Sequence, residues 1–549
     1  MLTKIKRLIK LLINYHPIDM PNWKKLLKKK HLFSFKKQTD KNILIATMSG
    51  GIRTATSLES MLAVALSLKG AKVTFLLCDN YLPLCIMKTM RENISLEDNK
   101  KKNEELCQSC LDIGKSTFKK TGLDIIYSSK FISKEDKIRI KDIVSETSIN
   151  EIMKYNIDNI DIGEQIHASL CRYYAVENYS KEPDLKKVTK DYFLSALLSH
   201  KSFSNITDLY NFDLILSNHG FYIPQGVVAK LALIKNIDLV TWTPGARKNT
   251  FIFSHNKTYN KDIVEESVNG WKNIDITTIE KTIDRYLNSK VTGEEDYAYH
   301  KKNTDFLEDL DFKKFLKHKN IDTSKKLIGM TTNVIWDAQL HYDNTIFRNM
   351  MGWVLETISY FIKRNDLNLI IRIHPTEINA DRPARERVKN EILKVFPNLP
   401  SNILIIDSSN IISTYKILDR CNAILTYGTK MDIEYSARGF PIIAAGEALT
   451  KNKNLVFEPK NVDEYYSLLN KLPFLKKLDE KTKMNAKKFA YYYFFKRSIK
   501  INTILEQKHK FPPFNIDDNF LNILSTGKDQ NFDMICDAII NKKVFVAKN

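Results

Sequence analysis

The chain has 549 residues, 43% of them apolar, and a formal charge of +21. It is too long for one hydrophobic core and too apolar to be largely disordered, and none of its apolar runs approaches the roughly 18 residues that cross a bilayer. The start, MLTKIKRLIKLLINYH, has lysines inside its apolar stretch and no small-residue cleavage site, so a cytoplasmic protein without a secretory signal is expected.

Residues 1–41 carry twelve Lys or Arg against two Asp. In IKRLIKLLI and WKKLLKKKHLF the bases alternate with Leu, Ile, Trp and Phe. That suits an amphipathic arm lying on the anionic inner face of a membrane. A solvated arm, or a helix packed on its own domain, fits the same residues. No RNP-like, zinc-finger or helix-turn-helix signature supports nucleic acid as a partner.

From Asn42 the pattern becomes strand, glycine loop, helix, strand: NILIATM, then SGG, then TATSLESMLAVALSLKG, then KVTFLLC. Further strands are expected at 123–127, 212–218 and 237–242, with QGVVAKLALIKN as a crossover helix. Residues 256–324 read as a charged helical bridge. The alternation restarts at KKLIGMTTN (325–333) and runs through LNLIIRIH, NILIID, NAILTYG and PIIAAG, each followed or preceded by a helical pattern. We therefore expect an α/β protein with two Rossmann-like doubly wound domains facing a cleft, at 42–255 and 325–475. Residues 476–549 are expected to be C-terminal helices and a tail, the helices crossing back to the first domain.

Ligands of open α/β sheets bind beyond the carboxyl ends of the strands, so the candidate residues are those found there. In the first domain Ser49, Gly50 and Gly51 form a glycine loop able to approach an anion. His219 ends another strand, and Arg247 and Lys248 follow a third as a candidate anion or acceptor contact. Glu164 and His167, in GEQIHASL, stand behind His219 as alternative bases. In the second domain Asn333 and Asp337 follow one strand, and His374-Pro375 ends the next in IRIHPTE. TYGTKMDIEYSARGFPII follows a later strand with Thr426, Gly428 and Thr429 as a polar loop. Thr429 and Asp432 have capping-box spacing. Glu434, one turn in, could accept from two ribose hydroxyls; an acid complementing the helix dipole is the plainer explanation.

The segments TNVIWDA, RIHPTE, SSNIISTYKIL and TYGTKMDIEYSARGFPII, with FLLCDNYLPLC, CQSC, SNHGFYIPQG and GARKNTFIFS, resemble the bacterial capsule and surface polysaccharide biosynthesis family of GT-B glycosyltransferases that carry an HP motif. The likeness spans roughly 42–500. It implies transfer of a sugar from a nucleotide-sugar donor to a growing glycan or lipid-linked acceptor, at the inner membrane surface, without a catalytic metal. It also implies that His374, Pro375, Asn333 and the 426–434 segment bind the donor nucleotide, and that a base, with His219 foremost, comes from the first domain. A polyol-phosphate transferase on the same scaffold, or a non-catalytic assembly or export partner, fits the same resemblance. Asp309-x-Asp311 has the spacing of a metal-dependent transferase motif but lies in a charged helical stretch, where a solvated face explains it.

Seven cysteines in a chain without a signal read as reduced thiols. Cys78, Cys85, Cys107 and Cys110, spaced C-x6-C-x21-C-x2-C, could close a structural zinc site. Unliganded thiols or a redox pair at Cys107-x-x-Cys110 are the alternatives.

Overall fold

A computed structural model describes residues 20–28, 37–91, 94–258, 261–293, 295–296, 309–337, 345–379, 382–501, 521, 524 and 527–548. Besides a two-stranded ribbon of Asn156–Ile157 and Ile160–Asp161, six strands described in the first part of the chain enter its main sheet: β1 (Asn42–Met48), β2 (Lys72–Leu77), β3 (Asp124–Tyr127), β4 (Leu214–Asn218), β5 (Asp238–Pro244) and β6 (Thr250–His255). Five follow the bridge: β7 (Lys326–Thr331), β8 (Leu367–Arg372), β9 (Ile403–Ile406), β10 (Ala423–Thr426) and β11 (Ile442–Ala444). A last short strand, β12, is Ile499–Lys500. The first sheet runs in the order β12-β6-β5-β4-β1-β2-β3 and the second β9-β8-β7-β10-β11. The second sheet is parallel throughout; the first is parallel except at β6 and β12. These are the two Rossmann-like α/β domains that the apolar runs led us to expect.

The central strands read as continuous apolar runs because helices cover both faces. All of β1 but Asn42 is buried, and all of β8 is. The helices used below are α1 (Trp23–Leu27), α2 (Arg53–Leu68), α3 (Leu96–Lys119), α4 (Ile162–Tyr174), α5 (Gln225–Ile234), α6 (Ile276–Ser289), α7 (Met350–Ile362), α8 (Thr414–Leu418), α9 (Met431–Ala437), α10 (Glu480–Tyr491) and α11 (Gln530–Asn541). The sequence reading missed β6, whose antiparallel pairing with β5 turns the chain back at Gly245–Asn249.

Both outlying segments join the first domain. Met20, Trp23 and Leu26 are buried, and the Trp23 indole N–H donates to Ser60 Oγ at 2.9 Å. The apolar side of 20–27 therefore faces protein and not lipid, which corrects the membrane-arm expectation for that stretch. Residues 1–19 and 29–36 lie outside the described residues. Downstream, α10 packs in one cluster with residues of α6 and α9, and the chain then re-enters the first sheet as β12. Phe532, Ile535, Cys536 and Ile539 of α11 join Leu58, Leu62 and Leu66 of α2 in one core. The tail is thus part of the first domain's core.

Candidate functional site

A cavity of about 260 Å³ opens where β7, β8 and β10 end. His374 and Pro375 stand on its wall with Thr331, Thr332, Thr376, Ser413, Thr414 and Thr429, and Lys290, Lys430 and Asp296 also line it. Just beyond β8 the proline turns the chain, and His374 is held through its backbone amide and through ring Nδ1. The His374 N–H donates to Thr332 Oγ1 at 3.2 Å, and the Thr376 N–H donates to His374 Nδ1 at 3.1 Å. A backbone amide can only donate, so Nδ1 is the acceptor and the neutral ring carries its proton on Nε2. His374 is thereby set as a donor at Nε2. Beside it, buried Arg372 braces the loop ahead of α8. Its guanidinium donates to the carbonyls of Asp407 and Asn410, the latter at 3.0 Å, and to Thr414 Oγ1 at 3.3 Å. Burial pushes its pKa down to about 10, with Asp407 opposing. Glu377 of the same motif is structural: it accepts from the Val388 N–H at 2.8 Å and the Ser408 hydroxyl at 2.7 Å.

Under the cavity lies a charged floor. Lys290, at the end of α6, pairs with Asp296 and stands 3.4 Å from Glu434 Oε1; Lys430 lies 3.8 Å from Asp296 and 3.9 Å from Glu434. The Tyr415 hydroxyl donates to Glu434 Oε2 at 2.6 Å. Burial alone would raise Asp296, but Lys430 and Lys290 outweigh it and hold the carboxyl below its usual range. Lys430 is held above its usual value against burial by Asp296 and Glu434.

Three expectations change here. Glu434 is fully buried beneath Tyr415 and the two lysines, so it supports the wall and cannot reach a ribose directly. Asn333 also supports: its amide donates to the carbonyls of Tyr427 and Gly428, clamping the polar loop to the end of β7. The capping box does not form. The residue ahead of α9 is Lys430, and the Thr429 hydroxyl accepts from the Met431 N–H at 3.4 Å. Thr426 is buried behind the loop beside Asp432, and Gly428 takes the turn at φ 55°. Of the donor-side candidates, His374, Pro375 and Thr429 line the cavity, while Asn333, Thr426, Gly428 and Glu434 form its backing.

The glycine loop of the first domain is filled. A Cβ on Gly50 would lie 2.4 Å from Gly114 Cα and 2.6 Å from the Cys110 carbonyl. The Gly51 N–H donates to Cys110 Sγ at 3.0 Å, and Ser49 Oγ accepts weakly from the buried Gln225 at 3.4 Å. Helix α3 occupies the space an anion would need, so these glycines serve close helix packing.

His219 lies half-buried at the end of β4 in the left-handed region, φ 56°. A β4 amide pattern continues through it, its N–H donating to the Trp242 carbonyl at 3.0 Å. Such a conformation in a residue with a Cβ is a cost that functional positions often retain. Burial, and then the Arg172 guanidinium, push its pKa down to about 4, so the ring is neutral near pH 7. Glu164 pairs with Lys230 at 2.8 Å, and His167 Nδ1 meets the Tyr179 hydroxyl at 2.6 Å. Burial lowers His167, with Glu164 opposing. Arg247 lies 4.1 Å from the Phe495 ring centre and donates to the Phe494 carbonyl at 3.2 Å. The Lys248 N–H donates to the Glu295 carbonyl at 2.9 Å. This turn carries residues 295–296, and so Asp296, to the cavity.

The four cysteines do share a neighbourhood. Cys78 and Cys110 are pushed up to about 12, by burial and then by Cys85, with Cys107 adding a smaller push to each. Among the described residues no group of three or more His, Cys, Asp or Glu side chains is arranged to hold a metal ion. Asp309 and Asp311 lie in a helix spanning Asp309–His318.

No protein-family model and no curated protein matches the sequence. Among solved structures, the beta-Kdo 2,4-transferase KpsC of Thermosulfurimonas dismutans aligns over 52% of this chain and 80% of its own, at 10% identity and a TM-score of 0.35. The UDP-GlcNAc 2-epimerase of Neisseria meningitidis, bound to UDP-GlcNAc, aligns over 88% and 98%, at 11% identity and 0.22. A family 9 glycosyl transferase of Veillonella parvula aligns over 83% and 97%, at 11% and 0.22. All three scores are below 0.5, so the reading of the site rests on this chain's own residues.

Proposed function

We propose that the protein is a GT-B type glycosyltransferase that moves a sugar from a nucleotide-linked donor to a surface glycan. The observation that carries this reading is the cavity beyond β7, β8 and β10, ringed by a tautomer-fixed histidine, two ammonium groups and hydroxyl side chains. Asp296 also lines the cavity and shares the two lysines with Glu434, so the donors this reading assigns to a diphosphate are His374 and the hydroxyls, with the lysines held beneath them. As the sugar leaves, negative charge builds on the departing phosphate. The His374 Nε2–H would meet it, with Lys290 and Lys430 adding positive charge from below, and donors fixed in advance lower the barrier without reorganisation. The acceptor hydroxyl must lose a proton as it attacks the anomeric carbon. His219, neutral near pH 7, is the base offered by the first domain, with Glu164 and His167 behind it. No helix among the described residues is long and apolar enough to cross a membrane. The basic residues of 1–19 and 29–36 would bring the enzyme to the cytoplasmic membrane surface and its lipid-linked acceptor.

Calorimetry with a panel of nucleoside mono- and diphosphates, followed by donor-hydrolysis assays, tests this. At least one nucleotide should bind. His374→Ala should weaken it by about 1.5–3 kcal/mol, the loss of one charge-assisted contact, while the melting temperature holds. Nucleotide affinity that is untouched in a folded His374→Ala protein would remove the claim.

A further inference from the structure

The C-terminal half of α4 reaches the second domain. Arg382 donates to the Arg172 carbonyl at 3.2 Å, and the Arg385 N–H donates to the Ala175 carbonyl at 2.9 Å. Here two guanidinium groups, one from each domain, share a single indole. Arg172 lies 5.7 Å and Arg382 5.9 Å from the Trp336 ring centre, and Arg172 also lies 4.9 Å from the Tyr222 ring. Trp336 is 7% exposed, yet among the described residues its Nε1–H has no partner, and neither has Arg172 Nε, although the Arg172 guanidinium also hydrogen-bonds Tyr222. The charged side chains that bear most on Arg382 are cations: Arg172 and then Arg91. With burial as the largest cause, they push its pKa down to about 9, while Tyr192 and Tyr222 oppose the shift. One carboxylate, Asp337, acts on the neighbouring Tyr222.

Concentrating like charges where solvent is scarce is costly unless an anion sits between them. A planar guanidinium pair suits a carboxylate, which can accept two parallel N–H bonds from one fork and a further N–H from the other. The phosphates of a donor already have His374, Lys290 and Lys430. An anion drawn to this pair would then belong to the other substrate, and Arg172 is also the cation that acts on His219, the base of the reading above. We propose that Arg172, Arg382 and the Trp336 Nε1–H form a carboxylate site between the domains that holds an acidic sugar of the acceptor glycan. This rests on the transfer reading.

The test uses the full chain and galacturonate as probe, with its methyl ester and glucose as neutral controls, read by saturation-transfer NMR. Galacturonate should bind at least about tenfold tighter than the ester, the value of one charge-assisted contact. Arg382→Gln should erase that difference, and Arg172→Lys should reduce it while keeping the charge. Equal binding of acid and ester, absence of galacturonate binding at millimolar concentration, or a preference that survives in Arg382→Gln overturns the proposal. Displacement of galacturonate by equimolar inorganic phosphate overturns the choice of a carboxylate. Nucleotide titrations of the same samples separate the two readings. If nucleotide binds while acid and ester are alike, only the carboxylate site fails; if nucleotide does not bind, the transfer reading itself fails.

Discussion

The two sheets end in opposite ways. Beyond β1 of the first domain the strand-end region is closed. Gly50 lies against Gly114 of α3, and Gln225 of α5 donates to the Thr47 carbonyl at 3.0 Å. Buried Glu59 of α2 accepts from Thr47 and, at 2.8 Å, from the Trp242 indole. Beyond β7, β8 and β10 of the second domain the same topological position is a cavity with donors on its wall. The glycine-rich loop, the more familiar sign of an anion site, belongs to the closed end. The open end carries a histidine fixed by a proline. Glycine lets two backbones meet, and whether the second backbone is a ligand's or the protein's own is decided by what folds onto the loop.

This contrast can be broken or sharpened by experiment. The largest effect is expected from pH at the closed end. Burial pushes Glu59 up to about 8 from 4.5, against the hydrogen bonds from Thr47 and Trp242. The folded state therefore holds a proton that the unfolded chain releases near its ordinary value. The stability from that proton is present at acid pH and is lost as pH rises through about 8. The swing should be on the order of 4 kcal/mol, and Glu59→Gln, which cannot titrate, should flatten the fall of denaturation midpoint between mildly acid and mildly alkaline pH. An equally steep fall in the variant would place the titrating group elsewhere.

Gly50→Ala comes next. The added methyl meets backbone and not a yielding side chain, so a loss of about 3 kcal/mol or more is expected, with any folded fraction keeping its nucleotide affinity. Weakened nucleotide binding at unchanged stability would instead return the loop to the ligand. At the open end, Glu434→Gln leaves Lys290 and Lys430 with Asp296 alone. Removing one partner from a buried ion cluster should cost about 3 kcal/mol in chemical unfolding. The smallest effect is expected of Thr331→Val. Among the described residues its buried hydroxyl has no partner, and Thr331 borders the cavity. Stability should hold or rise slightly, while nucleotide affinity falls by about 1 kcal/mol if the hydroxyl meets the ligand.

Strand positions were legible because buried parallel strands are written as apolar runs; NILIATM coincides with β1 residue for residue. β6 was not, because TFIFSH follows a basic turn that looked like a site and not like the bend of a hairpin. His374 was legible because a histidine and proline at the end of an apolar run have no reason in packing alone. Lys290 and Asp296 were not. They come from a charged bridge where every lysine looks solvated, and only the fold shows that α6 ends over α9. Glu434 was read as a ligand because its place after the polar loop invites that; its burial depends on Tyr415 and Lys290, which lie in other segments. Arg172 and Arg382 share no local pattern and meet only across the two domains.

One feature of the chain path bears on how the protein is made. Trp23 and α11 lie in the same core, and β12 pairs with β6. The second domain is thus inserted into the first, between β6 and β12. On the ribosome, β6 emerges early, with one edge bare of its partner, and waits until residue 500 has been made. By then every strand of the second domain is available to pair. The inserted domain can settle while its host is still an unfinished sheet with an open edge, the kind of edge that other chains join. The order of synthesis leaves the host, and not the insert, as the part exposed to mispairing.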